Sequence, residues 1–341
     1  METMGERRRR ILKAVVESYL QTGTPVGSKT IAEQFGGSVS SATIRNEMAE
    51  LTRQGFMEQP HTSAGRIPST EGLQLYVSCL MEPEPIPDRV KNAIDSLFIH
   101  GVADTAKVVE HAAALLSELT NYAAIGSTPV NSGAKISRTE LFPVSDGMVA
   151  VAVITTEGEF RTGLCRVELN EHEQNIIAAF ITRELQGLRL TAVDMPLMNS
   201  IAAKCGQYTM LTVPILQSIL TICEEMAHSK ILLEGQANLL RRREEEGAAT
   251  FEALKLLSDR KLLSSLLDSA GGGITVRIGS SENDTDVGVA SLITAKYLLN
   301  DDSFGCIGVV GPVRMDYASV ISYIEYFAGT LGKLLKESDE E

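Results

Sequence analysis

The amino-acid sequence predicts a multidomain α+β protein: a helix-turn-helix with a wing at the N-terminus, then a strand-rich body that a run of helices interrupts. Three observations carry this. Residues 28–66, SKTIAEQFGGSVSSATIRNEMAELTRQGFMEQPHTSAGR, hold two short helical patterns followed by a polar, glycine-containing hairpin. The segment EPEPIPD at 82–88 alternates proline with acid, which cannot continue a helix and favours extended, semi-rigid backbone. Beyond it, strand patterns stand before and after a long helical stretch.

The elements follow in order. A first helix runs from about Arg8 to Thr22, with Ile11, Leu12, Val15, Val16 and Tyr19 at helical spacing and Gly23 stopping it. After Pro25, Ser28 is the expected N-cap of a second helix that turns Ile31, Ala32 and Phe35 inward and ends at Gly36 and Gly37. Ser40 or Ser41 opens a third helix whose apolar positions Ile44, Met48 and Leu51 step by four and three, closed by Gly55. Phe56 to Gln59 reads as a strand, His61 to Gly65 as a loop tip, and Arg66 to Pro68 as a returning edge strand, where proline is tolerated. A fourth helix begins near Thr70 and buries Leu73, Leu75, Tyr76 and Leu80.

Val90 to Tyr122 is helical in pattern. Three strand-like runs, RTELFPV, MVAVAVITT and FRTGLCRVEL, are separated by the turn pairs Asp146-Gly147 and Glu157-Gly158. Asn170 to Leu185 returns to helix and stops at Gly187, and from about Leu190 to Asp268 every segment reads helical. Gly271 to Gly273 then precede ITVRIG, VASLITAKYLL and FGCIGVVGPV, and a long helix from Asp316 to Lys336 closes the chain. The expected domains are a head at 1–81, a linker at 82–89, one α+β domain in two parts at 90–189 and 269–341, and a helical insertion at 190–268.

A net charge of −13 argues against phosphate binding on average, but the charge is unevenly spread. Residues 1–80 carry nine Lys+Arg against eight Asp+Glu, a balance of +1, and the rest of the chain carries −14. The five cysteines are scattered without a C-x-x-C pair, so reduced, buried thiols are expected. No signal peptide is read and the longest uninterrupted apolar runs are strand-sized, so the expectation is a soluble cytoplasmic protein that makes no membrane contact.

On the third helix, Ser41, Thr43, Arg45 and Asn46 face away from the apolar stripe and are candidates for reading DNA, with Ser40 as N-cap facing the backbone. Arg45 fits either a guanine edge or a phosphate. In the wing, His61, Thr62, Ser63 and Arg66 offer donors for phosphate or minor-groove contact, and the small residues around them permit close backbone approach. His61 has the alternative of a turn residue. The Arg7 to Arg10 run is either a solvated helix start or a phosphate contact. RRREEE at 241–246 reads as a solvated helical face, and the leucine-rich 251–267 segment as a core helix or a dimer surface.

Enzyme readings find little. GCIGVVG is not followed by the helix start that a dinucleotide fingerprint requires, and Gly271 to Gly273 lack a phosphate-loop lysine. The five histidines show no paired-ligand spacing, so neither a cofactor nor a metal is expected.

The runs PVGSKTIAEQF, VSSATIRNEMAEL, QPHTSAGRIPS, LLEGQANLL and GVVGPVRMDYASVI closely resemble the HrcA family of bacterial heat-inducible transcription repressors. The resemblance implies a dimeric repressor with a winged helix, a GAF-like domain and a helical dimerising insertion. It also implies an inverted-repeat operator ahead of chaperone operons and the GroE chaperonin as a partner that keeps the repressor competent. The chain departs from the family after the helix-starting glycine, where an aromatic and a basic residue are usual and this chain has Gly72, Leu73 and Gln74. A rival reading is a metabolite-responsive regulator with a small molecule in the GAF-like domain.

Overall fold

The computed structural model describes residues 4–62, 64–97, 105–131, 133–145, 147–241, 243–279, 290–299 and 303–339. Helix α1 (Glu6–Thr22) buries Ile11, Leu12, Val15 and Val16, and Gly23, at φ 67°, ends it by donating its N–H to Tyr19. In α2 (Ser28–Gln34) the cap is Gly27 rather than Ser28, which already has helical geometry and gives no capping bond. Helix α3 (Ser41–Arg53) buries Ile44, Met48 and Leu51 as its periodicity predicts. Strands β1 (Met57–Glu58) and β2 (Ile67–Pro68) pair antiparallel, and α4 (Thr70–Leu75) continues into a π-helical turn, Tyr76–Leu80. Leu73 and Tyr76 are buried there, whereas Leu75 and Leu80 are only half-buried.

After the extended residues 81–87, the chain forms α5 (Asp88–Ser96), α6 (Thr105–Thr120), β3 (Ala123–Asn131), β4 (Ile136–Ser145), β5 (Met148–Thr155), β6 (Phe160–Arg166), α7 (Glu171–Leu185), α8 (Met195–Lys204) and α9 (Thr209–Ala227). It closes with β7 (Ile231–Glu234), α10 (Gln236–Arg241), α11 (Arg243–Ser258), α12 (Arg260–Asp268), β8 (Ile274–Ile278), β9 (Ala290–Leu298), β10 (Ser303–Pro312) and α13 (Tyr317–Asp339). Two strands depart from the sequence reading. Neither β3, with Gly126 and Pro129 inside it, nor the four-residue β7 carries enough local pattern to stand out, yet they lie side by side in the sheet β7-β3-β10-β9-β8.

By their internal contacts the residues divide into two units, Met1–Gly126 with Ile231–Tyr297 and Cys306–Glu341, and Ser127–Lys230 with Leu298–Gly305. These units divide the chain differently from the expected 190–268 insertion: α10, α11 and α12 fall in the first unit, and α8 and α9 in the second. Its antiparallel sheet β4-β5-β6 turns Leu141, Val149, Val151, Val153 and Cys165 toward Ile177 and Ile181 of α7 and Ile215, Ile219 and Ile222 of α9, forming one core. A sheet with one apolar face requires a cover, and α7 and α9 provide it. Helix α9 explains another departure. With its preceding turn, residues 206–227 have the length and hydropathy of a membrane span, but one stripe of the helix lines this core. Asp146 of the first predicted turn and Arg242 of the charged run lie outside the described residues.

The cysteines are free, and Cys165, Cys223 and Cys306 are buried; contrary to expectation Cys79 is exposed and Cys205 half-buried. Burial, with Glu224 adding, pushes the Cys223 thiol up to about 12. At pH 8 such a thiol is about one part in 10⁴ thiolate, and the thiolate is the reactive form. Alkylation of native protein should therefore label Cys79 first and leave Cys223 untouched until denaturant is added. Peptide mapping that finds equal labelling of both would contradict this burial.

Candidate nucleic-acid interface

The head presents one face of α3 because the opposite face is locked. Ile44 and Leu51 are fully buried with Ile11, Leu12, Val15 and Ile31. That rotation leaves Ala42, Arg45, Asn46, Ala49 and Arg53 exposed. Among the described residues neither Arg45 nor Asn46 has a side-chain hydrogen bond or an ion pair, so their donors are unoccupied. Ser40 caps the helix as expected: its Oγ accepts the Thr43 N–H at 3.1 Å. The Thr43 hydroxyl, 2.9 Å from the Ser40 Oγ, is engaged with that cap, and Ser41 and Thr43 are half-buried. Arg45 and Asn46 are thus the most available of the predicted set.

The N-terminal arginines have work inside the head. Arg8 Nε donates to Glu47 Oε2 at 2.6 Å, Arg7 approaches the same carboxylate at 4.0 Å, and Arg8 lies 3.9 Å from Glu50. The Arg10 guanidinium stacks 5.1 Å from the centre of the Phe35 ring. Glu50 also accepts from Arg53 and, at 2.7 Å, from Gln54. Two carboxylates on α3 would repel a phosphate backbone, and these arginines offset them. Sequence reading missed this pairing because it spans 39 residues.

In the hairpin, His61 and Thr62 are exposed, and Ser63 lies outside the described residues. Gln59 Nε2 donates to the carbonyls of Thr62 at 2.9 Å and Ala64 at 3.2 Å, and Ala64 N–H bonds the His61 carbonyl, so the loop is braced from within. Arg66 stands at the base of the loop. Its backbone exchanges two hydrogen bonds with Val26, at 2.8 and 2.9 Å, and its Nε donates to Thr52 Oγ1 at 3.0 Å. The closest approach of the small residues is also internal, because a Cβ on Gly65 would stand 2.4 Å from the Val26 carbonyl oxygen. Gly72 meets Phe56 in the same way. Gln74, at the departure from the family pattern, donates to the Ile278 carbonyl at 3.3 Å.

The fold and this site define a mixed helix-and-sheet protein whose N-terminal head displays one exposed, polar helix face. The family described as HrcA protein C terminal domain matches residues 106–321. The heat-inducible transcription repressor HrcA of Desulforudis audaxviator is 34% identical over 338 residues, covering 97% of this chain and 98% of that protein. That of Acetivibrio thermocellus is 32% identical, covering 95% and 94%. A crystal structure of a hypothetical protein at 2.2 Å resolution has a TM-score of 0.61 at 27% identity, covering 98% of this chain and all of that one. The chain belongs to the HrcA family.

Proposed function

We propose that this chain is a heat-inducible transcription repressor that binds an inverted-repeat operator of chaperone genes as a homodimer. In this reading α1–α3 with β1 and β2 are a winged helix-turn-helix, α3 enters the major groove, and the body is GAF-like. The observation that carries it is the pairing of near full-length similarity to named repressors with the unoccupied, exposed Arg45 and Asn46. Thr62 and His61 are then placed for phosphate or minor-groove contact, with Ser40, Ser41 and Thr43 at the groove edge. Arg66 positions the wing through Thr52. The GroE chaperonin, as the family resemblance implies, restores the repressor after heat.

Dimerisation is supported by an apolar sheet face. Phe142, Ala150 and Leu164 stand directly opposite one another across β4, β5 and β6, with Phe160 on the same face. Phe142, Leu164 and Phe160 are 47%, 63% and 71% exposed, a patch of the kind that partners cover.

The test is Arg45→Ala. A duplex selected from a random pool should bind the native protein far better than a scrambled duplex at fixed salt. The variant should lose about 10- to 100-fold of that ratio, corresponding to ~1–3 kcal/mol for a bidentate base contact, with its oligomeric state unchanged. An unchanged ratio removes Arg45 from base reading.

A further inference from the structure

Strand β8 is the outer strand of the five-stranded sheet, with β9 as its neighbour. Their register pairs Ile274 with Ala295, Val276 with Ile293 and Ile278 with Ser291, and Gly279 N–H bonds the Ala290 carbonyl at 2.9 Å. The alternation of an antiparallel ladder then directs the N–H and C=O of Ile274, Val276 and Ile278 away from β9, toward the strand's outer edge, which α4 approaches. One of these groups is already used. Gln74 Nε2 donates to the Ile278 carbonyl, standing where the N–H of an added strand would stand.

The same three residues line a groove of about 850 Å³ together with Val77, Met81 and Ile321. Glu71 and Glu325 also line it, both exposed and without an ion pair among the described residues. A strand edge with the backbone groups of Ile274 and Val276 turned outward, apolar side chains beside it and two carboxylates without an ion pair among the described residues match one chemistry. We propose that this groove binds an extended polypeptide segment with alternating apolar residues and a flanking basic residue, added to β8 as a further strand. Backbone bonds supply affinity, the apolar floor selects alternate side chains, and the carboxylates select the cation. This site is separate from the DNA-reading face and is tested without DNA.

The probe is a fluorescein-labelled peptide, Lys-Val-Thr-Val-Thr-Val-Lys, titrated with the full-length chain and followed by anisotropy. It should bind about tenfold tighter than the same peptide with glutamates at both ends, and a version with proline for threonine should not bind. Val276→Pro removes an outward N–H while leaving the β9 ladder intact, and should weaken binding at least about tenfold. Glu71→Lys with Glu325→Lys, both on the surface, should invert the preference toward the glutamate-flanked peptide, which keeps the test decisive if Val276→Pro fails to fold. No binding by the native chain, or binding that the charge reversal leaves unchanged, would overturn the proposal. So would edge-to-edge self-association of β8 that the peptide does not compete away.

Discussion

Gly72→Ala is expected to destabilise the head by about 2–4 kcal/mol, against the usual gain of about 0.5–1 kcal/mol for that change inside a helix. A Cβ there would lie 2.1 Å from the Phe56 carbonyl oxygen, a backbone atom that cannot rotate aside. That carbonyl also accepts the Ser69 N–H at 3.2 Å. Ser69 in turn donates to the Gly55 carbonyl at 2.5 Å and accepts the Gly72 N–H at 3.1 Å. The start of α4 is therefore clamped onto the junction of α3 and β1, and a shift to admit a methyl group breaks several bonds at once. Gly329 provides the control. It lies in α13 with nothing within 4 Å of its added Cβ, so Gly329→Ala should stabilise by about 0.5–1 kcal/mol. Thermal and urea melts of the two variants must move in opposite directions; a Gly72→Ala protein as stable as native would show that α4 is not held there.

The second large effect is in the body. Phe327 is fully buried on α13, a helix that packs with α5 and α6. Phe327→Ala removes a large, fully buried apolar side chain and leaves a cavity, at a cost of about 3–5 kcal/mol. The neighbouring Tyr326→Phe removes only an exposed hydrogen bond to Asp95, at 3.0 Å, and should cost under about 1 kcal/mol. Urea midpoints should separate the two variants clearly, with slopes unchanged. Equal midpoints would mean that α13 does not close the core.

Local pattern was a good guide wherever one element decides its own form. The steps Ile44, Met48, Leu51 placed the buried stripe of α3, and with it the exposure of Arg45 and Asn46. Asn170, where the helical pattern of α7 begins, is its N-cap, and its side chain with Glu173 completes a capping box. Pattern failed where a distant partner decides. Ile231–Glu234 has no alternation of its own and is a strand because β3 lies beside it. Local pattern leaves Arg8 to solvent or phosphate, whereas its partner is Glu47, 39 residues away.

Periodicity, caps, glycine stops and charge distribution in the chain therefore set the order of the helices, the polar face of α3 and the contrast between a near-neutral head and an acidic remainder. The folded arrangement alone decided three further things: which arginines are used up inside the head, that Gly65 and Gly72 serve backbone packing, and that residues 127–230 form a unit with its own sheet. The reason is physical. Helix phase and capping depend on neighbours within about four residues, whereas ion pairs, strand partners and close backbone contacts depend on groups that only folding brings together.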